Sequence, residues 1–151
     1  MCSSRVILKK SATVYRRKQA LYIHPQSLTT DGVWIVTEPV LKLNETASDA
    51  DIGSAVRASL DRSHTNVPHP TNWGEITKIL LRGIGVRSWS TFVQGASCVI
   101  IESAGEELSV MPTENQGARG GFAHQPENTV TLRQVDASES YLGAVVRKLL
   151  R

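Results

Sequence analysis

The chain has 151 residues and a mass of 16.5 kDa, the size of one ordinary domain. At 40% hydrophobic and 21% charged it has the material for a packed core, which excludes wholesale disorder. No apolar run approaches the ~20 residues that span a bilayer, and Val6-Ile7-Leu8 falls short of the roughly 7–15 residues of a signal-peptide core, so a cytosolic protein is expected.

The net charge is +3 and the pI about 9.1, which invites a nucleic-acid reading. The distribution argues otherwise. Arg5, Lys9, Lys10, Arg16, Arg17 and Lys18 lie in the first 18 residues without a single acid. Of 17 basic residues that leaves 11 against 14 acids, a body at −3. A basic front end on a mildly acidic body reads as a solvated arm and hairpin edge, with residues 1–11 as a flexible basic segment ahead of one domain over 12–151. Cys2 and Cys98 are too few for a disulfide framework or a four-ligand zinc site, and both are expected as free thiols.

In chain order the first element is a hairpin, Thr13–Arg16 turning through Arg17-Lys18-Gln19 into Ala20–Pro25, with Pro25 expected to end its strand. A loop leads to Gly32 and a third strand. Thr46-Ala-Ser-Asp49 has the form of a capping box for a helix with Ile52, Ala55, Val56 and Leu60 on one stripe. Residues 64–95 follow as an insert: Pro68 and Pro70 break regular structure, and Thr71 or Asn72 caps a helix carrying Ile76, Ile79, Leu80 and Leu81. Gly83 and Gly85 end that helix, and Ser88 caps a short one through Trp89, Phe92 and Val93.

The pattern then recurs. Cys98–Ile101 and Glu107–Pro112 form a second hairpin, Gly121 matches Gly32, Glu127 matches Glu38, and Asp136-Ala-Ser-Glu139 matches Thr46–Asp49. Gly143 and Arg147 match Gly53 and Arg57, and close helix–sheet approach accounts for the two glycines. The expected fold is mixed α/β (α+β): two β-β-β-α repeats, 12–63 and 96–151, forming a largely antiparallel sheet of about six strands, with the helical insert between them.

Side chains with catalytic potential are sparse. His64 and His69 sit five apart in a proline-rich linker and lack the helical spacing of a zinc pair, and His24 and His124 fall near strand ends at non-equivalent repeat positions. The glycine-rich stretch 113–121 lacks a P-loop ending and reads as a flexible loop, and no nucleophile elbow or His-Glu-x-x-His is present. No enzyme, cofactor or metal is expected. Trp34, Trp73 and Trp89 read as core or half-core residues that would anchor a protein interface if partly exposed. Recognition is placed on the repeat-equivalent loops 26–32 and 113–120 and the linker 66–73. Asp31, Glu106 and Glu114 would meet cations there, and Trp34 or Trp73 would anchor.

Tyr22-Ile-His-Pro25, Thr30-Asp-Gly-Val-Trp34, Val67-Pro-His-Pro-Thr-Asn-Trp73 and Gly85-Val-Arg-Ser-Trp89 resemble the pattern of the bacterial contact-dependent growth inhibition (CDI) immunity proteins, the CdiI family. The resemblance continues through Pro112-Thr113, Gly121-Phe122 and the C-terminal helix, covering about residues 12–150. It implies a cytosolic, non-enzymatic protein that binds the C-terminal toxin domain of a cognate CdiA effector, commonly a nuclease, and occludes its active site. The alternative is a small RNA-binding protein using Arg5, Lys9, Lys10 and Arg16–Lys18 as a phosphate-contacting arm.

Overall fold

A computed structural model describes residues 8–150. Two long hairpins form the middle of an antiparallel sheet: β1 (Lys9–Arg17) with β2 (Ala20–Leu28), and β5 (Ser97–Ala104) with β6 (Glu107–Asn115). β1 and β5 pair with each other at the centre, and outer strands complete the sheet. β3 (Trp34–Val36) and β4 (Leu41–Asn44) both pair with β2, and β7 (Phe122–His124) and β8 (Val130–Arg133) both pair with β6. The third strand of each repeat is thus split in two, and the sheet has eight strands where about six were expected.

Proline explains the split, and it corrects the expectation that Pro25 and Pro112 end their strands. Both lie inside long strands. The Pro25 carbonyl accepts from the Thr37 amide at 3.1 Å and that of Pro112 from the Gln125 amide at 3.1 Å, so both residues face the outer strands. An amide on that side would need an acceptor, and proline has none to satisfy. The missing donor falls opposite the gap between the two short outer strands in each half.

Two helices, α1 (Asp49–Asp61) and α5 (Glu139–Leu149), cover one face of the sheet. Ile52, Val56 and Leu60 from α1 and Leu142, Val145 and Val146 from α5 bury against Val14, Ile23, Val99, Ile101, Leu108 and Val110. The caps are Ser48, accepting from the Asp51 amide, and Ser138, accepting from the Tyr141 amide. They lie two residues beyond Thr46 and Asp136, the positions expected from the tetrapeptides. Gly53 and Gly143 serve a helix–helix approach, not the helix–sheet contact expected. A Cβ on Gly53 would stand 1.8 Å from the Glu139 carbonyl oxygen, and one on Gly143 would stand 1.7 Å from that of Asp49.

The arginines that follow these glycines also act reciprocally. Arg57 donates to Gln134 Oε1 and the Ala137 carbonyl at 2.6 Å each, just ahead of α5. Arg147 donates to Asp49 Oδ1 at 2.9 Å and to the carbonyls of Glu45 and Ala47, just ahead of α1. Each helix therefore holds the approach to the other.

The insert covers part of the opposite face with α2 (Trp73–Ile84) and α3 (Trp89–Val93), capped by Asn72 and Ser88. Gly85, at φ +86°, ends α2; Gly83 stays inside it, packed on Val40. Tyr15, Tyr22, Cys98, Leu80, Leu81, Phe92 and Val93 form this second core. The stretch expected to be a flexible loop at 113–121 is tied down. Asn115 Nδ2 donates to the carbonyls of Val93 (2.5 Å) and Ala96 (2.8 Å), a short helix α4 (Gly117–Gly120) follows, and Trp89 Nε1 donates to the Ala118 carbonyl at 3.1 Å. Lys9, Lys10 and Ser11 belong to β1, so the boundary expected after residue 11 falls inside a central strand, while residues 1–7 lie outside the described residues.

Candidate functional site

α2 and α3 cover only one end of their face, and the strands leave two adjoining depressions beside them. The first, about 520 Å³, has Tyr15, His24 and Gln26 on its floor and Trp34, Trp73 and Ile76 among its walls. The second, about 510 Å³, shares Gln26 and Trp34 and continues over Ile100, Met111, Glu102 and His124. Strand register generates this surface: Thr13 faces His24 and Ile100, Ile100 faces Met111, and Glu102 lies between Ser11 and Ser109. Alternate residues of the same strands supply the opposite, helix-covered core.

The rim of the first depression is held by Thr29, a residue whose role the sequence did not reveal. Its hydroxyl accepts from the amides of Asp31 (3.3 Å) and Val33 (3.2 Å). It also shares a hydrogen bond with Nδ1 of His69 at 3.0 Å. Backbone bonds between Leu28 and His64 and between Thr30 and Val67 close the same junction. The loop expected over 26–32 starts only after Leu28, since residues 26–28 belong to β2, and it meets the linker 66–73. His69 in turn lies 3.6 Å from Asp31 and edge-on to Trp73, with ring centroids 5.3 Å apart.

Of the five residues singled out for binding, Asp31, Trp34 and Trp73 are therefore clustered. Trp73 is 48% exposed on α2 and Trp34 half-buried on β3. Glu106 lies elsewhere, at the tip of the β5–β6 hairpin beside a separate depression with Arg57 and Gln134. Glu114 is exposed near the end of β6, opposite Ala123. Trp89 is the aromatic anchor of the second core, tilted against Phe92 and edge-on to Phe122.

His24 is not near a strand end. It sits mid-β2, 1% exposed, its ring stacked on Tyr15. Nδ1 lies 2.8 Å from the Pro25 carbonyl, which only accepts, so Nδ1 carries the proton and Nε2 is left as an acceptor without a partner. Burial lowers its pKa to about 4, with the Pro25 contact opposing, so the ring is neutral near pH 7. Cys98 is equally passive: burial raises its thiol pKa to about 12 against an opposing Thr113 hydrogen bond. Among the described residues no group of three or more His, Cys, Asp or Glu could hold a metal, and no helix is long and apolar enough to cross a membrane.

Among the described residues, the basic side chains expected to form an arm are spread along β1 and its turn. Arg16 pairs with Glu45 at 3.3 Å, Arg17 is buried and donates to the Thr91 carbonyl at 3.3 Å, and Lys18 occupies the β1–β2 turn at φ +48°. Lys9 and Lys10 lie at the other end of β1, about 20 Å away at ~3.3 Å per residue. Arg5 lies outside the described residues.

The family model for CdiI, the CDI immunity protein, matches residues 10–151. The chain belongs to the CdiI family. Among solved structures the CdiI fold is similar to a "Protein of Unknown Function NMB0488" from Neisseria meningitidis, at a TM-score of 0.77 and 16% identity over 97% of this chain and 96% of that one. It is also similar to a chain of a "CdiA-CT/CdiI toxin and immunity complex" from Yersinia pseudotuberculosis, at a TM-score of 0.76 and 16% identity over 95% and 97%. No curated protein matches in sequence. At such identities the two neighbours speak to the fold, and membership rests on the family match.

Proposed function

We infer that this CdiI protein is the cytoplasmic antidote to a cognate CdiA effector: it binds the effector's C-terminal toxin domain and blocks its activity by covering the active site, the toxin being a nuclease. The family match over 10–151 carries the reading. The protein's own surface supports it. The sheet face beside α2 offers two depressions of about 510 and 520 Å³ with aromatic walls, and partly exposed tryptophans are the side chains that anchor interfaces. Asp31, Trp34 and Trp73 are assigned to the contact. A stable inhibitory complex would bury about 1,200–2,000 Å², more than either depression alone, so the rim loop 29–33 and the linker 66–73 belong to it as well. No catalytic role is assigned to any residue.

The test is co-expression with the C-terminal toxin domain of the cognate CdiA effector. Growth rescue together with a co-purifying complex is the expected result. A folded protein that neither rescues growth nor binds would overturn the pairing. Degradation of cellular RNA or DNA by the toxin alone, abolished by adding this protein, tests the nuclease and occlusion steps. An intact nucleic-acid profile would refute the nuclease step.

A further inference from the structure

Glu102 stands out on the open sheet face. It projects from the central strand β5, half-buried, between two serines in register, Ser11 on β1 and Ser109 on β6. Neither engages it: the Ser11 hydroxyl is directed to Gln26 Oε1 at 3.1 Å. Among the described residues its carboxylate enters no ion pair, and the two depressions are lined by no lysine or arginine. The basic residue closest to it in register, Lys9 opposite Ala104 on the same face, is exposed and makes no ion pair with it. A carboxylate left unpaired on a half-buried sheet face is screened less than one in open solvent, and a cation gains more there.

The surroundings have the shape of a cationic side chain. Ile100 and Met111 form an apolar track one pair along the strands from Glu102 and Ser109, and Trp34 stands in the same depression. An aliphatic stem packs on such a track, its charged head reaches the carboxylate, and an indole beside it adds cation–π attraction. Farther along the same floor the buried Nε2 of His24 has no partner.

We propose that this groove captures a lysine or arginine side chain of the toxin domain, with its head on Glu102 and its stem over Ile100 and Met111 beside Trp34. The proposal rests on the immunity reading and sets the sign of the partner's surface: basic at the point of contact, although this chain is itself basic overall.

The assay is titration of the purified C-terminal toxin domain of the cognate CdiA effector, in a salt series, against wild type, Glu102→Gln, Glu102→Asp, Glu102→Lys, Trp34→Ala and the distant control Asp61→Asn. Each variant is first checked for wild-type circular dichroism and cooperative melting. Expected are a loss of at least tenfold for Glu102→Gln, at least a hundredfold for Glu102→Lys, a shallower salt dependence for Glu102→Gln, and near-wild-type binding by Glu102→Asp and Asp61→Asn. Tight wild-type binding that Glu102→Gln and Glu102→Lys leave unchanged overturns the cationic contact while the immunity reading stands. No binding by the folded wild type overturns the immunity reading itself.

Discussion

Replacing Gly143 by alanine sets two well-understood effects against each other. In a helix interior alanine is favoured over glycine by about 1 kcal/mol, so propensity alone predicts stabilisation. Packing predicts the reverse. The added Cβ would lie 1.7 Å from the Asp49 carbonyl oxygen, and real Cβ contacts essentially never fall under 3.0 Å, so α1 and α5 must separate by about 1.3 Å. Gaps of only 0.5–1 Å already forfeit roughly a quarter to a half of the dispersion across an interface. This interface carries Ile52, Val56, Leu142 and Val146, and the shift also draws Arg147 away from Glu45 and Asp49. The net cost should reach the upper end of the overpacking range, about 3 kcal/mol, lowering Tm by roughly 6–12 °C in a chain of this size. Thermal melts of Gly143→Ala, Gly53→Ala and the double variant, with the exposed Ser54→Ala as a propensity control, decide the matter. Either variant forces the same two helices apart, so the double variant should cost less than the sum. A Gly143→Ala protein that melts at or above the wild-type temperature would refute the close helix crossing.

Three further outcomes follow from the same structure. His24 has a folded pKa of about 4 against about 6.5 unfolded, so the unfolded chain binds more protons between those values. Its contribution, on the order of 3 kcal/mol, is complete above about pH 6.5 and lost as pH falls towards 4; urea unfolding at pH 7.5 and 4.5 should reveal this loss in wild type and a flatter profile in His24→Phe. Thr29→Val strands the amides of Asp31 and Val33 and frees His69, costing about 1–3 kcal/mol by denaturant unfolding and weakening toxin binding through the loosened rim. Arg147→Lys keeps the charge but not the fan of donors to Asp49, Glu45 and Ala47; about 1 kcal/mol should be lost, measurable as a lower urea midpoint, and an unchanged midpoint would mean these exposed bonds contribute nothing.

The recurring sequence pattern made most of the architecture legible, because similar residues stand at corresponding places in the two halves: Gly53 with Gly143, Arg57 with Arg147, Pro25 with Pro112. What those residues do was less accessible. Periodicity identifies a glycine on a helix but does not say whether a sheet or another helix approaches it. Proline was read as a strand terminator because the sequence does not reveal that the neighbouring strand has a gap where the donor would be. His24 was placed near a strand end for the same reason. On the candidate face, Asp31, Trp34 and Trp73 are visible in the sequence as polar or aromatic residues next to turns. Thr29 and Glu102 were not, since their importance depends on a hydroxyl turned towards a distant linker and on a pair of serines supplied by two other strands.

The crossed glycines and exchanged arginines are reciprocal contacts between the two halves of one chain, which join at the β1–β5 pair. A symmetric pair offers every surface twice, and a partner able to bind one copy could bind the other. The insert at 64–95 occurs once. By laying α2 and α3 over one end of the sheet and leaving Ile100, Met111 and Glu102 half-buried at the other, it makes the two ends of this face unlike. The proposed recognition surface then exists once, while the reciprocal helix contacts on the other face hold the scaffold.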